Sequence, residues 1–255
     1  METTPALFIS HGAPDTLISN PEIKDQWRQQ VADLPLPNAI VIITAHWETP
    51  SFSISGNIHS QTIHDFSGFA DELYEFQYPS PAAEDLANEL HQTLELQINN
   101  DRGLDHGSWV PLIAMYPQAD IPVVQLSVAP SLGAAAHFEL GQRLSSLRER
   151  NILIVGSGSI VHNLRKLYWH EPDRGPDPWA NDFMQTIRQA IEKNDWAFLQ
   201  KPGEIPGSKL ALPSIEHYLP LLVTAGAVEE NDVTVFSDFW CYGNLGMHSF
   251  RFTEN

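Results

Sequence analysis

The chain has 255 residues, 42% hydrophobic and 18% charged, which is enough for one large α/β domain or two small ones with a substantial core. Its 32 acidic and 14 basic residues give a formal charge of −18 at pH 7, without any large cluster of Lys and Arg. Because nucleic acids and anionic membrane surfaces are bound through basic surfaces, this composition argues against both as partners.

Cysteine usage and the absence of targeting segments narrow the class of protein further. One cysteine, Cys241, excludes an intramolecular disulfide and a cysteine-based metal site. The N-terminus lacks the basic region of a signal peptide, and the longest apolar run, at 219–228, is too short to span a bilayer. We therefore expect a cytoplasmic protein without a membrane segment, either a monomer or a small homo-oligomer.

Strand signals recur along the whole chain. The first is a short apolar run at 6–9, and the strongest is the run of mainly β-branched residues at 39–44, which leads into His46. Uninterrupted apolar runs of this length are typical of strands buried on both faces of a parallel sheet. Similar patterns predict further strands at 121–128, 151–157, 233–236 and 249–252, and an alternating pattern predicts an edge strand at 51–55.

Between these strands, apolar residues recur at helical spacing. Asn20 and Pro21 predict the start of a helix that carries Ile23, Trp27, Val31 and Leu34, and Pro35 is expected to end it. Further helices are predicted within 80–94, 110–115, 134–150, 177–191 and 219–228, with loops at 56–79 and 200–213. This alternation predicts a single domain over residues 1–255, a three-layer α/β/α fold with a mostly parallel central sheet and added edge strands.

Eleven histidines are present, and five of them occupy positions typical of a functional site. His11, His46 and His162 follow or end buried strands, where ligands of open α/β sheets collect. His106 and His217 stand just before apolar helices. Imidazole is the commonest metal ligand and the natural acid/base near neutral pH. From the pattern alone, a histidine-rich metal site and purely local hydrogen bonding are about equally favoured.

The other histidines carry a weaker signal. We assign local structural roles to His59, His91, His137, His170 and His248. His64 is undecided, and its neighbour Asp65 is a candidate hydrogen-bond partner for a metal ligand. The glycine-rich stretch GSGS at 156–159 lacks the P-loop lysine, so we interpret it as a tight turn that lets His162 approach the site.

Five motifs together are more specific than any single histidine: SHGAP at 10–14, TAHW at 44–47, DHGSW at 105–109, VHNL at 161–164 and EHYLPLL at 216–222. In this order and spacing they resemble the DOPA-dioxygenase type of the class III extradiol ring-cleaving dioxygenases. The stretches at 63–74 and 106–127 are similar to that family as well, so the resemblance covers essentially the whole chain. It is less close near the C-terminus, where Asn244 and Gly246 stand at positions at which we expect serines.

The resemblance implies a mononuclear non-haem Fe(II) centre, with zinc a frequent occupant in isolated relatives. By motif, His11, His46 and His217 match the metal ligands. His162 matches a position beside the metal, as a further ligand or as an acid/base, and His106 matches a nearby acid/base residue. The implied substrates are a catechol and O₂. L-DOPA is the family's reference catechol, and its 4,5-cleavage gives 4,5-seco-DOPA, which can cyclise to betalamic acid.

The chemistry of ring cleavage agrees with these residue types. An iron with open positions for the substrate and O₂ is required, together with groups that remove and return protons. Glu216, beside His217, is an alternative ligand that the sequence leaves open. Four aromatic residues flank the motif histidines: Trp47, Phe66, Trp109 and Tyr218. Together with His64 they are candidates for a slot that binds the catechol ring. For each of the four aromatics, a role in the core is equally open.

Three other functions are also compatible with the pattern. A strand followed by a His-Gly turn near the N-terminus is similar to the tetrapyrrole metal chelatases, although DHGSW and VHNL have no counterpart there. Three histidines around an ion with an open position can also activate water, as in a zinc hydrolase. A metal-binding protein without catalytic activity is the third alternative.

Overall fold

The computed structural model describes residues 3–56, 61–228 and 231–254. The strands within these ranges are β1 Ala6–Ser10, β2 Ala39–Glu48, β3 Ser53–Ser55, β4 Gln97–Asn99, β5 Val123–Val128, β6 Ile152–Gly158, β7 Asn231–Ser237, β8 Trp240–Cys241, β9 Leu245–Gly246 and β10 Ser249–Glu254. The α-helices are α1 Thr16–Ser19, α2 Pro21–Gln29, α3 Glu84–Leu94, α4 His106–Met115, α5 Gly133–Leu144, α6 Pro178–Glu192, α7 Trp196–Leu199, α8 Ser208–Ala211 and α9 Leu219–Gly226. His59 lies outside the described residues.

Eight strands form one mixed sheet in the order β4-β3-β5-β2-β6-β1-β10-β7, and β8 and β9 form a separate small hairpin. The four central strands, β5, β2, β6 and β1, all run parallel. Antiparallel pairing joins β3 to β5 on one side and β10 to β1 and β7 on the other. The predicted fold class, with a mostly parallel sheet and added edge strands, is confirmed.

Helices cover both faces of the sheet, because the central strands present apolar residues alternately to each side. Val41 and Ile43 belong to the core that also contains residues of α3, α5, α6 and α9. Ile40 and Ile42 belong to the opposite core, which is covered by α1, α2 and α4. None of the described helices combines the length and apolar character that crossing a bilayer requires.

Three predicted helix boundaries are wrong. The helix predicted to run to Arg150 ends at Leu144, and Ser145–Arg150 form a 3₁₀ helix. Helix α2 ends at Gln29, and Val31 and Leu34 pack on the core from the turns that follow it rather than from the helix itself. Helix α4 begins at His106 instead of residue 110, because the Asp105 carboxylate accepts a hydrogen bond from the backbone N–H of Ser108 and caps the helix there.

The glycine-rich stretch at 156–159 is not a tight turn. Gly156 and Gly158 lie in β6, where a Cβ atom on Gly158 would lie 2.1 Å from the backbone oxygen of His217. These glycines let the chain that enters α9 approach the strand closely, so they position His217 rather than His162. Pro220 occupies the first turn of α9, where the missing backbone N–H of proline costs no helical hydrogen bond.

Candidate active site

The five motif histidines meet at the carboxyl ends of β1, β2 and β6. His11 follows β1 directly, His46 lies near the end of β2, and His162 comes after β6. His106 is the first residue of α4, and His217 precedes α9 by two residues. Parallel strands bring these loops to one edge of the sheet, as expected for a ligand site in an open α/β fold.

Three of these side chains converge through the same ring atom. The Nε2 atoms of His46 and His11 are 3.1 Å apart, and those of His217 and His46 are 3.3 Å apart. One ring nitrogen from each of the three lies within 4.8 Å of the others, the arrangement that a single metal ion requires. The predicted ligand set is therefore brought together in space.

The opposite ring nitrogens of these histidines face hydrogen-bond acceptors. His11 Nδ1 lies 2.9 Å from the Ser157 hydroxyl oxygen, and that hydroxyl donates its hydrogen to the backbone oxygen of Gly107. His11 therefore carries its proton on Nδ1. His217 Nδ1 donates to a carboxylate oxygen of Glu216 at 2.9 Å, and His46 Nδ1 lies 3.4 Å from Asp65 Oδ2. Each Nε2 is left as an unprotonated acceptor.

This donor set fits a metal ion. Acceptor nitrogens about 3 Å apart cannot hydrogen-bond to one another, but a shared cation satisfies all of them. Nitrogen ligands bound to one tetrahedral ion at about 2.0–2.1 Å are roughly 3.3 Å apart, close to the separations seen here. Imidazole ligands in metalloproteins are oriented by partners on the other ring nitrogen, which are Ser157, Glu216 and Asp65 in this site.

Burial keeps the histidines neutral, as ligation requires. Burial and repulsion from His106 lower the pKa of His46 to about 3. Burial also lowers the pKa of His162 to about 4 and places the pKa of His11 and His217 well below the ordinary value for histidine.

Asp65 joins His46 to His106. Its Oδ1 accepts hydrogen bonds from both the backbone N–H and Nδ1 of His106, each at 2.9 Å, while Oδ2 faces His46. Burial raises the pKa of Asp65, but the hydrogen bonds from His106 and its electrostatic attraction outweigh this and bring the pKa to about 2. Asp65 is thus an anion, and the N-terminus of α4 stabilises it.

His162 and Glu216 lie on the other side of the ligand cluster. The His162 ring stacks on that of His217, with the ring centroids 3.5 Å apart and the planes inclined by 14°. His162, Glu216 and His217 each offer an atom within 4.8 Å of the other two. Because the Glu216 carboxylate holds His217 Nδ1, its contact supports an orienting role rather than replacement of His217 as a ligand.

An aromatic wall stands beside His106, formed by part of the loop at 61–79 and by α4. We use this name for His64, Phe66, Tyr74, Phe76 and Trp109. Phe66 lies edge-on to His106 at a centroid distance of 5.8 Å and also contacts Trp109 and Tyr74. His64 contacts Trp109 at 5.9 Å, and its Nε2 lies 3.0 Å from the backbone oxygen of Phe76. Trp109 is fully buried, so it supports the wall rather than facing a ligand, whereas the other four residues keep part of their surface exposed and can contact a flat ring.

Two of the residues predicted to bind substrate lie elsewhere. Tyr218 is fully buried in the core formed with α5 and α6, and its hydroxyl donates to the backbone oxygen of Leu199. We correct its assignment to a packing role, because the first turn of α9 directs it away from His217. Trp47 is buried beneath the guanidinium of Arg102, which lies 5.2 Å from the ring centroid. Among the described residues, no ring contact joins Trp47 or Tyr218 to the histidine cluster.

Several residues at the site were missed from the sequence. Ser157 could have been found from alternation in β6, since it continues the face of Leu153 and Val155 towards the site. Arg102 and Gln125 lie outside the five motifs, and Thr44 belongs to TAHW without an assigned role. Their contacts with the site join segments 20 to 61 residues apart, which the sequence does not reveal.

Three histidines whose ring nitrogens could hold one metal ion lie at the strand ends of an α/β sheet, beside a carboxylate-bound histidine and an aromatic wall, an arrangement typical of a metal-dependent enzyme. Residues 5–253 match the model of the family described as the catalytic LigB subunit of aromatic ring-opening dioxygenase. The 4,5-DOPA dioxygenase extradiol of Escherichia coli (strain K12) is 39% identical over 259 residues, covering 96% of this chain and 93% of the relative. The protein of the same name from Beta vulgaris is also 39% identical, with 97% and 96% covered.

A solved structure is similar over the same length. The crystal structure of an uncharacterised protein from Escherichia coli K12 matches with a TM-score of 0.83 and 36% identity, covering 97% of this chain and 99% of the other. The chain belongs to the LigB family of aromatic ring-opening dioxygenases. It is therefore an extradiol dioxygenase, a metal-dependent class of enzyme, and the three other functions left open by the sequence lack such support.

Proposed function

We propose that this enzyme uses Fe(II) and O₂ to cleave a catechol, with L-DOPA as the substrate and 4,5-seco-DOPA, the precursor of betalamic acid, as the product. The observation that carries the proposal is the convergence of His11, His46 and His217 through their Nε2 atoms, at 3.1 and 3.3 Å. The name of these relatives, 4,5-DOPA dioxygenase extradiol, supports the choice of substrate.

In this proposal the three Nε2 atoms hold the metal and leave positions open on it. Bound iron supplies a redox-active Lewis acid at which a catechol and O₂ can react. Ser157, Glu216 and Asp65 hold the three rings in place, so the ligands are arranged before the metal binds. Glu216 acts here through His217.

His106 is the proposed acid/base. Its bond to Asp65 keeps the proton on Nδ1 and leaves Nε2 to accept a proton from a catechol hydroxyl. The Asp65 anion then stabilises the imidazolium until the proton is returned during ring opening. The centroids of the His106 and His46 rings are 4.0 Å apart, which supports placing this proton transfer next to the metal. His162, stacked on His217, is the candidate for a second proton-transfer group.

The aromatic wall is the proposed binding surface for the catechol ring. Phe66 presents its ring edge-on to His106, His64 packs against Phe66, and the fully buried Trp109 packs against both. Aromatic pairs in edge-on or offset geometry contribute about 0.5–1.5 kcal/mol beyond the burial of their surface. Stacking of this kind would orient the hydroxyls towards the histidines.

The direct test is to load the purified protein with Fe(II) and incubate it with L-DOPA under air. We expect O₂ uptake and a yellow product whose mass equals that of L-DOPA plus both oxygen atoms. A panel of other catechols, including some without the amino-acid group, tests the substrate. Faster turnover of another catechol than of L-DOPA would overturn the substrate assignment but leave the enzyme class intact.

The metal is tested in the same assay by loading Zn(II) in place of Fe(II). Zn(II) does not change its oxidation state, so we expect the zinc-loaded protein to bind the catechol without consuming O₂. His170→Ala is a suitable control, because His170 is an exposed histidine in a turn and is not among the motif histidines. O₂ uptake by the zinc form equal to that of the iron form would contradict the proposed cofactor.

A further inference from the structure

His46 lies where β2 departs from regular pairing. Ile43 pairs with Leu126 of β5, and the next pair is Glu48 with Val128. Strand β2 therefore advances five residues while β5 advances two. On the other side, pairing of β2 with β6 ends at Thr44. His46 thus sits on a bulge, beyond the ladder hydrogen bonds that would hold a central-strand residue.

Side chains take over the backbone hydrogen bonds of His46. Its N–H donates to the Thr44 hydroxyl oxygen at 3.1 Å, and its carbonyl oxygen accepts from Arg102 Nη2 at 3.2 Å. Both of these side chains are themselves held by one group. The Thr44 hydroxyl donates to Asp105 Oδ1 at 2.7 Å, and Arg102 Nη2 donates to Asp105 Oδ2 at 2.5 Å.

The Asp105 carboxylate is fully buried and surrounded by donors. In addition to Thr44 and Arg102, it accepts from the backbone N–H of Ser108 at 3.2 Å and from Gln125 Nε2 at 3.0 Å. Exchanging the oxygen and nitrogen positions of the Gln125 amide would lose a hydrogen bond, because its oxygen accepts from the Ser108 hydroxyl at 2.7 Å. Every partner of the carboxylate is therefore a donor, which only an ionised, acceptor-only group satisfies on both oxygens.

We propose that Asp105 is a positioning residue for metal binding, which fixes the backbone of His46 through Thr44 on one side and Arg102 on the other. In a regular strand, hydrogen bonds to the neighbouring strands fix where the side chains point, and a bulge lacks these bonds. The hydrogen bonds through Thr44 and Arg102 therefore fix the direction of the His46 imidazole. Since Asp105 also caps α4, it joins the position of His46 to that of His106, the first residue of the helix. This inference rests on the proposed role of His46 as a ligand.

The test is Asp105→Asn, measured by metal affinity rather than by turnover. The variant keeps the shape of the side chain, but its amide turns two hydrogens towards groups that are themselves donors. Partners of ligands typically contribute 10–100-fold to metal affinity, and we expect a loss of about that size for Co(II) and Zn(II) in chelator competition. We also expect an altered visible spectrum of the Co(II) protein, which reports the ligand geometry.

Asp177→Asn is the matched control. Asp177 precedes α6 as Asp105 precedes α4, and it also accepts several side-chain hydrogen bonds, from Tyr168, Asn244 and Trp179. It makes none of the contacts to the histidine cluster described above. A loss of folding stability alone would lower the melting temperature of both variants, whereas only Asp105→Asn is expected to change Co(II) affinity and spectrum.

A second pair of variants keeps the test decisive if Asp105→Asn does not fold. Thr44→Val removes the bridging hydroxyl at nearly constant volume, and Thr44→Ser retains it. We expect Thr44→Ser to bind Co(II) more tightly than Thr44→Val. Equal affinity of both Thr44 variants and wild type, or a wild-type spectrum for folded Asp105→Asn, would overturn the positioning role. His46→Ala separates the two proposals, because its retention of metal would overturn the ligand assignment itself.

Discussion

At the scale of single residues, the site is set by what touches each imidazole. Ser157, Asp65 and Glu216 occupy the Nδ1 side of His11, His46 and His217. Burial lowers the pKa of each ring, so all three are neutral acceptors near pH 7. The same three contacts therefore direct Nε2 towards a common point and keep it unprotonated there.

His46→Ala is expected to abolish metal retention and leave the fold largely intact. The His46 side chain is 22% exposed and lies at the edge of the sheet, so its removal opens no closed cavity in the core. Metal analysis of the purified variant beside its circular dichroism spectrum checks both parts. His170→Ala serves as the control and should retain the wild-type metal content. Full occupancy in His46→Ala would count against its role as a ligand.

His106→Ala is expected to bind the metal and lose turnover. Removing a positioned acid/base typically lowers the rate by about 10²–10⁴-fold, and His106 contributes none of the three converging Nε2 atoms. Iron content and O₂ consumption with L-DOPA, measured in one preparation, distinguish this variant from His46→Ala. Turnover at the wild-type rate with iron bound would mean that His162 acts alone as the proton-transfer group.

The residue-scale site was only partly predictable. Histidines at strand ends are visible in the sequence because their positions follow from local patterns. Thr44 and Asp105 open the motifs TAHW and DHGSW, but the hydrogen bond between them could not be predicted, since it joins residues 61 positions apart. The assignment of Tyr218 to substrate binding is corrected for a related reason. Adjacency to His217 in the sequence does not specify on which side of the first turn of α9 a side chain lies.

At the scale of elements, the approach of α9 to β6 sets the position of His217. Gly158 faces the backbone oxygen of His217, which also accepts from the backbone N–H of Ser159 at 2.8 Å. A Cβ on Gly156 would lie 2.1 Å from the Thr224 hydroxyl oxygen and 2.5 Å from the Pro220 carbonyl oxygen in the first turn of α9. The His217 and Pro220 oxygens are backbone atoms, which cannot rotate away as a flexible side chain could.

Gly158→Ala is therefore expected to destabilise the protein and weaken metal binding together. The added methyl would lie 2.1 Å from the His217 oxygen, so the chain must shift at a cost of about 1–3 kcal/mol. Chemical denaturation and Zn(II) competition measure the two effects. Gly175→Ala is the control, because a Cβ there meets no atom within 4 Å. Unchanged Zn(II) affinity in Gly158→Ala would show that the close packing of α9 on β6 does not determine the position of His217.

The order of elements was easier to predict than their details. Apolar runs such as Val123–Val128 and Ile152–Gly158 identify central strands, because both of their faces are buried. Short elements such as α1 and β4 have too few residues to show a period. The end of α2 was missed since Val31 continues the apolar spacing beyond the helix and is buried in a turn instead.

At the scale of the whole molecule, the protein buries several histidines in neutral form, not all of them in the site. His137, on α5, is fully buried; its Nε2 accepts from the backbone N–H of Ala129 at 3.1 Å, so Nδ1 donates to the Gly133 oxygen at 2.7 Å. Burial lowers the pKa of His137 to about 4. Protonation would break the Ala129 bond, so the neutral form is part of the fold.

This arrangement determines the direction in which stability changes with pH. The unfolded chain binds a proton at histidine with a pKa near 6.5, whereas folded His137 does so only near 4. Between these values the unfolded state holds more protons, so the free energy of unfolding decreases as the pH falls. One fully shifted proton contributes up to about 1.4 kcal/mol per pH unit in that window.

The slope of unfolding free energy against pH is set by the difference in bound protons between the unfolded and folded states. We expect His137→Gln to reduce that difference by close to one proton. Gln can accept and donate in similar directions but does not titrate, so the variant should unfold with a shallower pH slope between about pH 6.5 and 4. Urea denaturation of chelator-treated protein at several pH values measures the slope without a contribution from bound metal. His170→Gln, an exposed histidine, should keep the wild-type slope. Equal slopes for His137→Gln and wild type would assign the acid sensitivity to the other buried histidines instead, since burial lowers the pKa of His46, His162 and His248 as well.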